Sequence, residues 1–211
     1  MLTPFRWYGY RFFVLLIRPA FVYNWRQNRK GVICLGRHLI AYYSRRGQNL
    51  VGGELRDLAV GNTELAAEML QVLTRADIFR IEPVQEYSSD YCRCIDQARQ
   101  DLLHGVRLEL KRWPKDWGEY DTIYLGYPNH WNTLPVAVFS FLEQLDFTGK
   151  TVYPFCVYEW GGLGRSVDDL RRTCPTARIG PSLPLLGEDI RQELYALVDW
   201  IEEEPALKNI V

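Results

Sequence analysis

From about residue 38 onward, short apolar runs alternate with amphipathic stretches along this chain. Leu39-Ile40-Ala41-Tyr42-Tyr43 is an uninterrupted apolar run closed by Ser44 and Gly47, as expected of a parallel strand buried on both faces. Leu65, Met69, Val72 and Leu73 recur at i, i+4, i+7 and i+8, which predicts a helix with that face inward. Ile78-Phe79-Arg80-Ile81 reads as a second strand nearer an edge, and Ser88 or Ser89 is a candidate cap for a polar helix running to about His104. A third strand spans Ile123 to Tyr127. The helix after it buries Val136, Phe139, Leu142 and Leu145, with Pro135 in its first turn, where a missing N–H does no harm. Thr151 to Tyr158 supplies a fourth strand, and Ser166-Val167-Asp168-Asp169 reads as the cap of a short helix. Ile179 to Leu186 is a fifth strand, which Pro181 and Pro184 consign to an edge or make irregular. Asp189 to Gln192 opens a last helix burying Ile190, Leu194, Leu197, Val198 and Ile201. Strands alternating with helices predict an α/β fold: a doubly wound five-stranded parallel sheet covered on both faces.

Composition narrows the partners more than the fold. With 211 residues and 47% hydrophobic content the chain can bury one substantial core. A net charge of −1 with interspersed signs gives no electrostatic case for nucleic acid or an acidic surface. The five cysteines (Cys34, Cys92, Cys94, Cys156, Cys174) have neither disulfide-framework nor metal-ligand spacing, so reduced thiols, a cytoplasmic setting and no metal site are expected. Residues 1–36 read as a loosely ordered extension to a domain over 37–211. The six-residue apolar run Phe12 to Ile17 is too short to span a bilayer, whereas Trp7, Tyr8, Tyr10, Phe12 and Phe13 could rest on a membrane surface.

The chemistry concentrates in three loops expected at the carboxyl ends of the strands, the edge where open α/β sheets bind ligands. Ser44-Arg45-Arg46-Gly47 closes the first strand and Gly61-Asn62-Thr63 opens the first helix. With residues 48–61 taken out, the remainder reads Ser-Arg-Arg-Gly-Asn-Thr, a hydroxyl and glycine loop of the type that cradles a phosphate at a helix N-terminus. Arg45 or Arg46 could add a charge-assisted contact. The stretch Gln48 to Val60 reads as a surface excursion at this edge, either a lid or a solvated decoration. Pro128-Asn129-His130-Trp131 forms the second loop and offers a flat indole to a flat heterocycle. His130 could meet a ring edge or titrate near neutrality. The third loop carries Tyr158, Trp160, Gly161, Gly162 and Gly164, with glycines that permit tight approach. Three such loops suggest a flavin site.

These segments, together with Tyr120-Asp121-Thr122 before the third strand and Phe147-Thr148-Gly149-Lys150-Thr151 before the fourth, resemble the flavodoxin-like proteins, in particular a bacterial subgroup of small FMN-binding domains. The likeness runs from about Leu39 to Ile201. It implies non-covalent FMN, its phosphate held by Ser44, Arg45, Gly47, Asn62 and Thr63. It also implies an isoalloxazine ring between Pro128–Trp131 and Tyr158–Gly164. The activity implied is electron transfer with a redox partner protein. An NAD(P)H-dependent FMN quinone-type reductase and a cofactor-free interaction module of the same fold are the alternatives, and a homodimer stays open. No Gly-x-Gly-x-x-Gly fingerprint for a second nucleotide is visible. Two departures stand out: the strong acidity usual in electron shuttles is missing, and the phosphate loop is split by its insertion.

Overall fold

The computed structural model describes residues 37–203, so the expected extension over residues 1–36 lies outside the described residues. In chain order the elements are β1 (Arg37–Tyr42), β2 (Gly47–Val51), β3 (Glu54–Leu58), α1 (Asn62–Thr74), β4 (Asp77–Arg80) and α2 (Tyr91–Leu103). Then come β5 (Tyr120–Pro128), α3 (Val136–Glu143), β6 (Thr151–Tyr158), α4 (Ser166–Thr173), β7 (Arg178–Ile179), β8 (Leu183–Leu186) and α5 (Leu194–Glu203).

The main sheet is parallel, in the order β4, β1, β5, β6, then β7 and β8 side by side in sequence along the far edge of β6. β7 pairs with Thr151 and Val152, whereas β8 pairs with Phe155 through Tyr158. The predicted fifth strand therefore exists as two pieces. Pro181 lies in the break and cannot donate to a ladder, and its carbonyl instead accepts the Trp200 indole N–H at 3.2 Å. Doubly wound α/β with five strand positions is the architecture.

Period-two alternation assigns the two faces. Leu39, Ala41, Ile123, Leu125, Val152 and Cys156 join residues of α3 and α4 in one core cluster. The intervening Tyr124, Tyr153 and Phe155 surround Trp200 of α5 with ring centroids 5.9 to 6.4 Å away. α1 lies on this second face, and its contact surface differs from the predicted one. Ala66, Ala67 and Leu70 are fully buried, while Val72 is 53% exposed. Of the predicted face Met69 is buried, Leu65 and Leu73 are half-buried and Val72 is outside, because small alanines let the helix lie close to the sheet along a shifted face.

Three helix starts also differ from expectation. α2 is capped by Asp90, which accepts the Arg93 amide at 2.9 Å, while Ser88 braces the cap by accepting from the Asp90 amide. Ser166 is the first residue of α4 rather than its cap, and its hydroxyl donates to the Leu163 carbonyl at 2.6 Å. A 3₁₀ turn over Gly187–Asp189 precedes α5, which begins only at Leu194. Among the described residues no helix is long and apolar enough to cross a membrane.

Candidate functional site

The two halves of the split loop meet in space. Ser44 follows β1 and is buried, and its hydroxyl oxygen accepts the backbone N–H of Glu64 at 3.1 Å, in the first turn of α1. Gly61 precedes that helix, and a Cβ there would collide with the Arg45 carbonyl and the Ser44 hydroxyl. The excised reading of the sequence is thus realised: residues separated by the insertion form one hydroxyl-lined turn at a helix N-terminus. Thr63 is buried beside it, and Asn62 ties it to the far edge by donating to the Gly187 carbonyl at 2.7 Å.

Neither arginine of this loop extends freely toward a ligand. Arg45 donates to the carbonyls of Gln48, Ser88 and Ser89, the last two at 3.0 and 2.9 Å. No carboxylate of the described residues lies within ion-pair distance of it, so Arg45 keeps an uncompensated positive charge beside Ser44. Arg46 instead forms a two-pronged pair with Glu64 at 2.6 and 3.1 Å, and Arg80 approaches the same carboxylate at 3.5 Å. Behind this turn, toward the edge strand β4, lies a polar cavity of about 250 Å³ lined by Tyr43, Arg45, Arg80, Glu82, Tyr87 and Ser88, among others.

The loops after β5 and β6 are cross-tied. Asn129 donates its backbone N–H to Val157 at 2.9 Å and its side-chain amide to the Gly162 and Trp160 carbonyls at 2.8 and 3.4 Å. His130 and Thr133 exchange both backbone hydrogen bonds, closing a two-residue turn in which Trp131 and Asn132 have φ of 53° and 61°. That is the primed turn geometry, rare without glycine. It aims the Asn132 carbonyl at the Arg165 amide, 2.8 Å away. Gly164 makes this approach feasible, because it has φ of 51° and a Cβ there would strike Asn132. Below the loops, the Tyr127 hydroxyl meets the Ser166 hydroxyl at 3.0 Å, and Thr133 bonds Asp169.

His130 keeps some exposure as a residue, but its Nδ1 is buried and has no hydrogen-bond partner. Burial, reinforced by the charge of Arg45, holds its imidazolium pKa down at about 4, so the ring is neutral near pH 7. Its edge meets the Tyr43 ring at 6.0 Å between centroids. Trp131 leans on α2, with its indole N–H donating to the Ile95 carbonyl at 3.0 Å and the Arg99 guanidinium 4.9 Å from its ring centre. Trp160 is 69% exposed, Tyr158 is half-buried, and Gly161 and Gly162 take left-handed φ values.

The insertion is an antiparallel hairpin, β2 with β3, joined by Gly52-Gly53. Its root sits against α2, where the Tyr91 amide donates to the Gln48 side chain at 2.9 Å. Its tip reaches the opposite flank, where the Gly52 amide donates to Glu159 at 2.8 Å and the Glu188 carboxylate lies alongside. The hairpin therefore bridges the carboxyl edge from α2 to the end of β6. Loss of hydration raises the Glu159 pKa; the Gly52 bond opposes that rise and Glu188 adds to it.

A turn with free helix N-terminal amides can seat a phosphate, and a buried unpartnered imidazole nitrogen can answer a ligand's polar edge. The donor set thus suits a phosphate-bearing ligand, and among the described residues no group of His, Cys, Asp or Glu could hold a metal. Of the expected residues, Ser44, Asn62 and Thr63 converge, with Gly61 between them, as do Asn129, Trp160, Gly161, Gly162 and Gly164. Arg45 is turned to carbonyls, Gly47 starts the hairpin, and Trp131 is held by a helix. Sequence reasoning missed Glu159, Gln48, Glu64, Ile95 and Arg99. Glu159 stands between two loop aromatics and was within reach; the others depend on contacts with no local signature.

A family model described as flavodoxin matches residues 57–204. A search among curated proteins gives no match. Among solved structures, a protein assigned as a flavoprotein from Bacteroides eggerthii DSM 20697 is 26% identical, with a TM-score of 0.64 over 80% of this chain and 97% of that one. A similarly assigned protein from Bacteroides uniformis ATCC 8492 is 25% identical, with a TM-score of 0.60 over 79% and 98%. A flavoprotein solved in complex with FMN, from Lactobacillus acidophilus NCFM, shares the fold at 15% identity, with a TM-score of 0.55 over 76% and 99%.

Proposed function

The chain belongs to the flavodoxin family, and from that premise we propose that it binds FMN non-covalently and works in electron transfer. The observation that carries this reading is the meeting of Ser44 with Gly61 and the Glu64 amide across the insertion. It assembles a phosphate seat from two chain-distant pieces at the N-terminus of α1. Ser44, Asn62 and Thr63 hold the phosphate, Gly61 lets the two chain segments close up, and Arg45 contributes charge from its perch on three carbonyls. The isoalloxazine lies between the Pro128, Asn129, His130 and Trp131 loop and the loop carrying Tyr158, Trp160, Gly161, Gly162 and Gly164. The unpartnered His130 Nδ1 then finds its hydrogen bond on the ligand. The flavin supplies the electron chemistry, while the chain holds its tail, flanks its ring and limits water. Residues 37–211 form the flavin-binding domain, with residues 1–36 outside it, and the setting is the cytoplasm.

Titration of the purified protein with FMN, followed by flavin fluorescence and visible absorbance, tests the reading. Saturable binding at micromolar or lower concentration is expected, and folded protein that leaves FMN free overturns it. Anaerobic mixing of the loaded protein with NADPH then assigns the electron source. No bleaching on that mixing fits a carrier fed by a partner protein, and rapid bleaching makes it a reductase.

A further inference from the structure

Trp131 occupies a backbone conformation that needs holding. Its φ of 53° is in the left-handed region, which is unfavourable for a bulky residue. Two residues of α2 hold it. Ile95 accepts the indole N–H at 3.0 Å, and Arg99, one turn further along the same helix face, lays its guanidinium 4.9 Å from the ring centre. Among the described residues no carboxylate is within ion-pair distance of Arg99, so its cation is spent on the indole. Core packing does not account for that choice, since α2 buries only Cys94 and Ala98. With its indole edge tied and one face backed, Trp131 is still 42% exposed as a residue.

We infer that Arg99 is a positioning residue for the flavin: from behind, it fixes the Trp131 indole plane so that the free face meets the ring. This rests on the FMN reading above. The second consequence is electrostatic. An electron-rich indole stacked on a flavin disfavours added electron density, and a guanidinium on the indole's far face draws density back. Arg99 therefore raises the flavin midpoint potential, the reverse of what a strongly acidic surface does. The near-neutral charge of the chain and this backing arginine act in the same direction.

The test uses the full chain loaded with FMN, comparing Arg99→Gln, Arg99→Lys and the parent protein. Arg99→Gln is expected to raise the FMN dissociation constant about two- to fivefold, the worth of an exposed cation–π contact. It is also expected to lower the midpoint potential, by a shift that shrinks as salt is added. Arg99→Lys keeps the charge and should recover most of the potential but not all of the affinity. The thermal midpoint of the flavin-free protein should fall by no more than about 2–4 °C, and the salt-dependent potential shift, which a small loss of stability would not produce, separates positioning from folding. If the parent binds FMN and Arg99→Gln matches it in affinity and potential, the inference is overturned and the FMN reading stands. If the parent does not bind FMN, both fall together.

Discussion

The loops after β5 and β6 and the hairpin β2–β3 share one edge of the sheet but are fastened in different ways. The two loops are joined by Asn129 to Gly162, Asn132 to Arg165, Thr133 to Asp169 and, beneath them, Tyr127 to Ser166. The Tyr127 to Ser166 bond is buried, where a hydrogen bond is costly to lose, and the Asn129 and Thr133 side-chain bonds are partly buried. The hairpin is held at its root by Gln48 and Arg45 and at its tip by Gly52 to Glu159. Of its residues only Val51 is buried, and all of β3 but Leu58 is exposed. Loops joined by several bonds, one of them buried, are set before a ligand arrives, while a strap with few attachments opens at little cost. The contrast is between two loops tied to each other at several points and a hairpin fastened only at its root and tip.

The largest expected effect comes from breaking the seat itself. Gly61→Ala drives a methyl into the Arg45 carbonyl and the Ser44 hydroxyl, and overpacking of this kind costs about 1–3 kcal/mol. Urea unfolding should show that loss, and FMN titration should show affinity falling by more than about tenfold. If Gly61→Ala binds FMN like the parent, the seat is not where the phosphate lies.

Acidification probes the same seat through His130. Its folded pKa of about 4 lies below the ordinary value of 6.5, so between those values the unfolded chain binds more protons. The His130 contribution is fully present above pH 6.5, falls as pH drops through the window, and is gone below about 4. The expected loss is on the order of 2 kcal/mol, read as a drop in urea midpoint between pH 7 and pH 4.5. His130→Gln should flatten that part of the profile. A profile unchanged by the substitution would place the titration elsewhere.

Removing residues 48–60, so that Gly47 runs directly into Gly61, takes out the strap and keeps the seat glycine. If it governs access, FMN association and dissociation should both quicken while their ratio changes little. Each 1.4 kcal/mol taken off the opening step is worth about tenfold in rate. Stopped-flow mixing with FMN reads both constants. Unaltered rates would make the hairpin a decoration.

The fold was legible from local pattern because buried parallel strands are continuous apolar runs, and even the break in the fifth strand was foreshadowed by Pro181. The face of α1 was misjudged because Ala66 and Ala67 bury by closeness rather than bulk. The excised loop was readable since its chemistry survives in residue types flanking the insertion. Where the side chains go was not. Arg45 turns to the carbonyls of Ser88 and Ser89, more than forty positions away, and Trp131 leans on Ile95 and Arg99 of another helix. Such contacts are set by topology, which places the start of α2 beside two loops that the sequence keeps apart.

The smallest and sharpest probe is Glu159→Ala. It removes the acceptor of the Gly52 amide and leaves the hairpin root and both loops intact. A single partly exposed hydrogen bond is worth about 0.5–1.5 kcal/mol, and loss of the Glu159–Glu188 repulsion offsets part of it, so global stability should hardly move. The local signal should be clear: amide exchange at Gly52 and Gly53 quickens while exchange at Asn129 and Val157 stays slow. That pattern would show the tip opening independently of the seat. Equal quickening at both would mean that the hairpin and the loops open as one unit, and the division into a fixed seat and a movable strap would fail.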